Sequence, residues 1–295
     1  MLEKQESQMN ADQFLTFKFL IEKNSEMIFN WKKHQLRSVH QDLSRQYVLE
    51  NLDDSSVLFI MDWAMKWIET RYREKQSDWF GKKGLPWHLI VAIRRVKTNS
   101  VPSFAASSDR NRFEYRTFCH IFDQCKQDAL SIISILQDVF KRMKLNDPQF
   151  RYAYLRSDNG ACYHNAITTT AIDEIYRNTD VFIRRIDFSE PQAGKGPCDR
   201  QASVIKGQIR RYIDEKHDCT NSVEFVAGAK STNHLSIFAS RIFQTEDSSS
   251  SNDSTRKSQK TTWCGISNIY NISYDIESSD ESSSFSTNLM KKQVG

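Results

Sequence analysis

The order of apolar segments constrains the fold of this 295-residue chain more than any other feature of its sequence. Three strand-like runs come first, and helix-like and strand-like segments then alternate, which gives the order β-β-β-α-β-α-β-α. The predicted strands are 57–61, 87–96, 113–122, 151–156 and 181–188, and the predicted helices are 125–144, 164–176 and 197–215. Three strands followed by alternating helices and strands predict an α/β domain, with helices on the faces of a mixed sheet.

This order of elements is the one found in the ribonuclease-H-like fold, in which helices flank a mixed five-stranded sheet. We place this catalytic-type domain at residues 53–240. Residues 1–52 predict a helical N-terminal region, because no glycine or proline interrupts residues 10–50. Residues 245–295 are rich in serine and poor in apolar side chains, so we expect a disordered tail that cannot bury enough surface to offset its ordering entropy.

Composition and charge exclude several classes of protein. No apolar run reaches the roughly 18 residues that a membrane span needs, and the polar start MLEKQESQMNADQ is not a signal peptide. Six cysteines without a regular spacing indicate a reducing compartment rather than a disulfide framework. Residues 245–295 hold 5 basic and 7 acidic side chains, so the rest of the chain carries a net charge of +6, which is compatible with a polyanionic partner.

Asp62 is the first candidate functional residue, because it directly follows the apolar run 57–61. A bare carboxylate beside a buried strand is costly and needs a partner, a metal ion or water. The alternative is an aspartate that ends the strand and faces water, which is the commoner situation for such a residue taken alone.

Asp158 is the second candidate and lies in the sequence Ser157-Asp158-Asn159-Gly160, after the fourth predicted strand. This sequence is typical of a turn, and a turn needs no further function. In open α/β sheets, however, ligands bind outside the carboxyl ends of the strands. The same turn would therefore deliver a carboxylate to a cleft.

Two acids compete for a third position. Asp199 lies in the first turn of the helix 197–215, where an acidic side chain is also favoured by the helix dipole alone. Its rival, Glu190, follows the fifth strand. Asp199 has better support, because it shares a helix face with Lys206 and Arg210, which would lie along the approach of a phosphate backbone. A solvated helix face is the alternative explanation for these two cations.

The three acids together predict a metal-dependent site. Carboxylates that converge in one cleft repel one another unless cations neutralise them. Two Mg²⁺ or Mn²⁺ ions about 3.5–4 Å apart would do so, and this arrangement suits phosphoryl transfer. Oxygen ligands are those that Mg²⁺ prefers. We therefore predict Asp62, Asp158 and Asp199 as both catalytic and metal-binding residues.

Further candidates concern nucleic acid and zinc. Lys195 precedes the helix of the third acid, and Lys82 and Lys83 lie in residues 63–88, where aromatic and basic side chains are interleaved. That pattern suits base stacking along a backbone, although a packed insertion with a basic exterior has the same composition. Cys162, His164, Cys198 and one further ligand could form a zinc site, but small buried cysteines and a histidine at a helix start are the commoner explanation.

With its acids on the first strand, after the fourth strand and on a following helix, the chain resembles the DDE/DDD transposase–integrase superfamily of ribonuclease-H-like enzymes. It is more closely similar to a group of transposon-derived animal proteins of unassigned function, over about residues 25–230. The shared motifs are WxxH at 31–34, DWAMKW at 62–67, DWFGK at 78–82, SDN at 157–159 and FSEPQxGKGxCDR at 188–200.

The resemblance implies a transposon-derived nuclease or strand transferase that acts on DNA phosphodiesters by two-metal catalysis. The alternative is a domesticated, catalytically inactive DNA-binding or scaffold protein, because no zinc-finger array or helix-turn-helix for recognising transposon ends is evident in the sequence. The expected partner is DNA, the expected location is nuclear or cytoplasmic rather than secreted or in a membrane, and a homo-oligomer is compatible with the resemblance.

Overall fold

The computed structural model describes residues 10–96, 113–190, 196–231, 237–241, 269–276 and 285–291. The chain divides into two compact units, Met1–Tyr47 and Val48–Gly295. The helices are α1 (Ala11–Glu50), α2 (Ala129–Asn146), α3 (Ala166–Thr170), α4 (Ile172–Thr179), α5 (Pro197–Asp214) and α6 (Ser222–Lys230). The strands are β1 (Ser56–Trp67), β2 (Leu85–Arg95), β3 (Phe113–Ile121), β4 (Tyr152–Asp158), β5 (Phe182–Ser189), β6 (Ile237–Arg241), β7 (Ile269–Ile276) and β8 (Phe285–Lys291).

The strands form one mixed sheet in the order β6-β3-β2-β1-β4-β5-β7-β8. The first three strands of the chain pair antiparallel, β1 with β2 and β2 with β3. Next to them, β4 pairs parallel with β1, and β5 pairs parallel with β4. The predicted α/β class, a mixed sheet flanked by helices, is therefore confirmed.

The prediction of five strands is wrong, because the sheet has three more in its described part. Two of them, β7 and β8, lie inside residues 245–295, so the expectation of a disordered tail fails for these two segments. The sequence of β7 explains the error: its alternating apolar residues bury Ile272 and Tyr274 against the sheet core, although serine-rich sequence flanks them. The remaining residues of 245–295 lie outside the described parts of the chain.

The first unit is described by α1, which confirms the predicted helix within residues 10–50. Asn10 and Gln13 begin it with a reciprocal pair of hydrogen bonds: the Gln13 N–H donates to Asn10 Oδ1 at 2.8 Å, and the Asn10 N–H donates to Gln13 Oε1 at 3.2 Å. Across the described helices, none combines the length and the apolar content that crossing a bilayer requires.

The helix predicted over 164–176 is instead two short helices, α3 and α4. The consecutive threonines of α3 account for the break, because their hydroxyls donate back to carbonyls of the preceding turn. Thr169 Oγ1 donates to the Asn165 carbonyl at 3.0 Å, and Thr170 Oγ1 donates to the Ala166 carbonyl at 2.7 Å.

Two apolar cores lie on opposite faces of the sheet, and side chains of β1 alternate between them. On the α2 face, Phe59 packs against Phe140 of α2 with ring centroids 5.1 Å apart. On the α5 face, Leu58 lies in the same buried cluster as Ile205 and Ile209 of α5. The predicted core stripe of α5, formed by Ala202, Ile205, Ile209 and Ile213, is buried as expected.

Candidate active site

Asp62 lies in the middle of β1, so its expected position at the end of a strand is wrong. The strand continues to Trp67 because the residues after Asp62 keep pairing with β2, where Asp62 itself is opposite Leu89. By alternation from Leu58 and Ile60, Asp62 belongs to the α5 face. A carboxylate is thus placed on a sheet face that is otherwise apolar up to this point.

Strand pairing explains why Asp158 comes near Asp62. The two strands are parallel neighbours, and Ile60 of β1 is paired with Arg156 of β4. Two residues further along each strand are Asp62 and Asp158, which therefore emerge at the same level of the sheet.

The electrostatics of Asp62 show that three of the predicted acids converge. Burial, and secondly the repulsion from the nearby carboxylates of Asp158 and Asp199, together raise the pKa of Asp62 to about 7. Between the two rival third acids, only Asp199 exerts this effect. Glu190 instead accepts a hydrogen bond from the Tyr270 hydroxyl of β7 at 3.4 Å.

Asp158 forms the turn that its sequence predicts. Its Oδ1 accepts the Gly160 N–H at 3.0 Å, which is the turn that the sequence indicates. A Cβ at position 160 would lie 2.9 Å from the same oxygen, so glycine allows the carboxylate to approach the backbone. The turn therefore fixes the carboxylate next to Asp62.

Asp199 also has a local structural role. Its Oδ2 accepts the Gly196 N–H at 3.1 Å and caps the start of α5, with Pro197 in the first turn. The neighbouring Cys198 anchors this turn to the sheet, since its thiol lies 3.2 Å from the Ile60 carbonyl oxygen. Ile60 lies two residues before Asp62 in β1. The contact at Ile60 therefore holds Asp199 above the strand near Asp62.

A cavity of about 630 Å³ opens between β1 and α5, and we call it the carboxylate cavity. Its lining includes Asp62, Asp199, Ser203, Lys206 and Arg210, so the helix face predicted to carry an acid and two cations faces it. Asp158 is near enough to act on Asp62 but is not part of this lining. From Asp199 to Arg210 the helix rises by about 16 Å, so the cavity is acidic at one end and basic towards the other.

The other predicted basic residues have different surroundings. The Lys82 ammonium forms an ion pair with Glu74 and also donates to the Glu69 carbonyl, and its side chain is largely buried. Lys83 is exposed, and Lys195 lies outside the described residues. Lys82 therefore stabilises the 69–82 segment, and its use in binding nucleic acid stays a prediction.

The three side chains considered for zinc have separate partners. Cys198 contacts the Ile60 carbonyl, His164 Nδ1 is hydrogen-bonded to Asn159, and the His164 ring stacks on Phe188 at 3.9 Å. Cys162 packs beside the core of the α2 face. Within the described parts of the chain, no group of three or more His, Cys, Asp or Glu side chains is placed so that it could hold a metal ion. The three aspartates are thus an electrostatic cluster rather than a preformed set of ligands.

A buried polar pair beneath Asp62 was missed by the sequence analysis. His88 of β2 is fully buried, and its Nε2 lies 2.8 Å from the Tyr163 hydroxyl, while Trp63 packs edge-on against its ring at 4.9 Å. Burial, and secondly the charge of His120, lowers the pKa of His88, which keeps the imidazole neutral. A histidine inside the apolar run WHLIVAI was the available signal for this pair.

The sequence was also compared with known proteins. Residues 41–282 match the model of one family, which is described as "Domain of unknown function (DUF8701)", and this match covers more than half of the chain. No curated protein matches the chain.

Proposed function

Because the chain belongs to the DUF8701 family, to which no function is attached, we propose a function from the site itself: a transposon-derived polynucleotidyl transferase or nuclease. It would cleave or join DNA phosphodiesters in the nucleus. The observation that carries this proposal is the convergence of Asp62, Asp158 and Asp199, expressed in the raised pKa of Asp62. A half-buried carboxylate whose pKa is raised by burial and by neighbouring like charges is more typical of functional sites than of structural ones.

The arrangement of the central strands supports a ribonuclease-H-like interpretation of the fold. The first five strands lie in the order β3-β2-β1-β4-β5, and β2 alone among them runs against β1. In the superfamily that the sequence resembles, the acids occupy the first strand, the end of the fourth and a following helix. Asp62, Asp158 and Asp199 occupy the corresponding elements.

The donor set fits Mg²⁺ or Mn²⁺. Asp62, Asp158 and Asp199 offer carboxylate oxygens, which hard divalent cations prefer. The repulsion between these carboxylates is one that a bound cation would neutralise. Two such ions, when bound, would supply charge neutralisation and activation of the attacking water or hydroxyl.

The remaining residues of the carboxylate cavity have roles in binding. Lys206 and Arg210 lie one helical turn apart and line the cavity together, so they can hold successive phosphates of a nucleic acid strand. Leu89 and Ala202 form an apolar wall beside Asp62. That wall contributes to the partial burial of Asp62, and a charge interaction is stronger where less water surrounds it.

Calorimetry with Mn²⁺ and Mg²⁺ tests this proposal on the wild-type chain and on Asp62→Asn combined with Asp158→Asn. We expect the wild type to bind and the double variant to have lost binding. Glu190→Gln is the matched control, because it removes the rival carboxylate and should leave binding intact. A folded wild type that binds neither metal at millimolar concentration would overturn the catalytic proposal.

A second candidate function is a domesticated DNA-binding or scaffold protein without catalysis. The lack of a preformed set of metal ligands among the described residues favours it. It predicts metal-independent binding of DNA that Lys206→Ala and Arg210→Ala weaken and Asp62→Asn leaves intact. Cleavage of a labelled DNA by the wild type, lost in Asp62→Asn, would exclude it.

A further inference from the structure

A second cavity, of about 490 Å³, adjoins the carboxylate cavity along α5. We call it the aromatic cavity, because Trp67 and Trp79 line it together with Ile68 and Ile213. Lys206 and Arg210 line both cavities. Two cations thus stand between a cluster of carboxylates and an apolar, aromatic space, and both spaces have the size of ordinary ligand pockets.

The indole of Trp79 lines this space from the end of a short helix. It ends a short 3-10 helix, Gln76–Trp79, and 58% of the residue is exposed. The Lys82 ammonium lies 4.8 Å from its ring centroid and is itself fixed by the ion pair with Glu74. A large aromatic ring that is held in place yet exposed is suited to stacking on a flat ligand.

The floor of the aromatic cavity is fixed as well. Trp67 is buried, its Nε1 donates to the Cys219 carbonyl at 3.3 Å, and its ring packs edge-on against Phe225 at 5.9 Å. The returning chain passes close above it at Gly84, where φ is +69° and a Cβ would lie 3.2 Å from the Trp67 carbonyl oxygen. The position of Trp67 in the floor is therefore fixed by the packed core of the α5 face.

Building on the proposed function, we propose that the aromatic cavity binds an unpaired nucleobase of the substrate strand, stacked on Trp79. The phosphate next to this base would lie on Lys206 and Arg210, and the following phosphodiester would face the carboxylates. A base inside an intact duplex is stacked between its neighbours and cannot enter such a cavity. The substrate class is therefore single-stranded or locally unpaired nucleic acid rather than a continuous duplex.

The test measures fluorescence anisotropy of a labelled 12-nucleotide oligothymidine and of a blunt 12-base-pair duplex, both without divalent metal. For the single strand, Trp79→Leu should weaken binding by about 5- to 150-fold, the range typical of one base stacked on an aromatic side chain. For the duplex, the same variant should change binding little. Lys206→Ala should weaken the binding of both ligands, because it removes a phosphate contact.

Phe80→Leu is the matched control, since Phe80 is adjacent and 75% exposed but does not line the cavity. Thermal unfolding checks that Trp79→Leu is folded, as expected for an exposed side chain. Equal affinity of wild type and Trp79→Leu for the single strand would overturn the inference. An equal loss for both ligands, or no binding of the single strand by the wild type, would also overturn it.

Measurements of metal binding and of DNA cleavage test the proposed function separately. If Trp79-dependent binding of the single strand is found without metal binding or cleavage, the aromatic cavity stands as a binding site and the catalytic proposal falls. If cleavage occurs and Trp79→Leu changes neither affinity nor rate, the catalytic proposal stands and the aromatic cavity has no role in it.

Discussion

The two faces of β1 differ in a way that explains where the candidate site lies. On the α2 face, Phe59 meets large side chains of α2 such as Phe140, and the space between sheet and helix is filled. On the α5 face, the helix begins with Cys198 and Asp199 and continues with Ala202. These small and polar side chains cannot fill the space over Asp62, so a cavity remains.

One strand can therefore serve both as the centre of an apolar core and as the wall of a functional site. Alternation of side chains decides which face each residue joins, and the opposing helix decides whether that face is closed. At the level of Asp62, the α2 face should therefore contribute more to stability, whereas changes to the side chains that line the cavity on the α5 face should affect binding and charge.

The largest expected effect is on the α2 face. Phe140→Ala should lower the free energy of unfolding by about 3–5 kcal/mol, because it leaves a cavity between Phe59 and Phe150. Urea unfolding followed by circular dichroism measures this loss. Ser203→Ala, on the α5 face, is the control and should change stability by less than about 1 kcal/mol. Similar losses in the two variants would contradict the difference between the faces.

The next effect concerns the charge of Asp62. Its pKa is about 7 in the folded protein and near 4 in the unfolded chain, so between these values the folded state binds one more proton. The free energy of unfolding should therefore decrease as pH rises from about 4 to 7. The full shift corresponds to about 4 kcal/mol, which access of water to the carboxyl reduces to roughly 2 kcal/mol.

Urea unfolding between pH 4 and 8 tests this prediction on the wild type and on Asp62→Asn. The variant lacks the titrating carboxyl and should show a flatter dependence on pH. Bound Mn²⁺ should flatten the wild-type curve in the same way, because it stabilises the ionised carboxylate. Curves of equal slope for the wild type and the variant in the absence of metal would count against the carboxylate cluster.

Asp138 of α2 should give the free energy of unfolding the opposite dependence on pH. Partial burial acts to raise the pKa of Asp138, but hydrogen bonds from His120 at 2.9 Å and Arg142 at 2.7 Å outweigh it and lower the pKa to about 2. This carboxylate stabilises the fold above pH 4, and the contribution is lost as pH falls towards 2. Because the group is partly exposed, we expect a loss of roughly 1 kcal/mol.

Asp138→Asn measures this contribution in acid unfolding followed by tryptophan fluorescence. The variant should be less stable than the wild type at pH 6, and the difference should shrink at pH 2–3. A difference that persists at the lower pH would assign the effect to packing rather than to charge.

Much of the fold could be predicted because it rests on local patterns. The apolar stripe of α5 and the uninterrupted sequence of α1 gave helices whose observed bounds agree within a few residues. The three outer strands, β6 to β8, were missed for a physical reason. β6 and β7 pair with strands that are distant in sequence, such as Ile186 of β5 with Ile272 of β7, and no local pattern encodes those partners. β8 joins the sheet by pairing with β7.

The site was predictable in its residues but not in its geometry. Asp199 and Arg210 were placed on one helix face from their spacing alone, because the period of the helix fixes it. The preference for Asp199 over Glu190 came from the helix face that Asp199 shares with Lys206 and Arg210, whereas its position near Asp62 depends on the contact of Cys198 with β1. The aromatic cavity could not be predicted from the sequence, because Trp67 and Trp79 come near Arg210 only after the sheet and α5 have packed together.

The smallest effect on stability should come from a pair of glycines. Gly160→Ala would place a Cβ 2.9 Å from Asp158 Oδ1 and displace that carboxylate, whereas Gly207→Ala meets open space within α5. Gly207→Ala should stabilise the helix by up to about 1 kcal/mol and leave Mn²⁺ binding unchanged. Gly160→Ala should change stability by less than about 1 kcal/mol, because the turn is exposed, yet weaken Mn²⁺ binding several-fold. If calorimetry shows equal Mn²⁺ affinity for both variants, Asp158 is not a ligand, and the acids that matter are Asp62 and Asp199 on the α5 face alone.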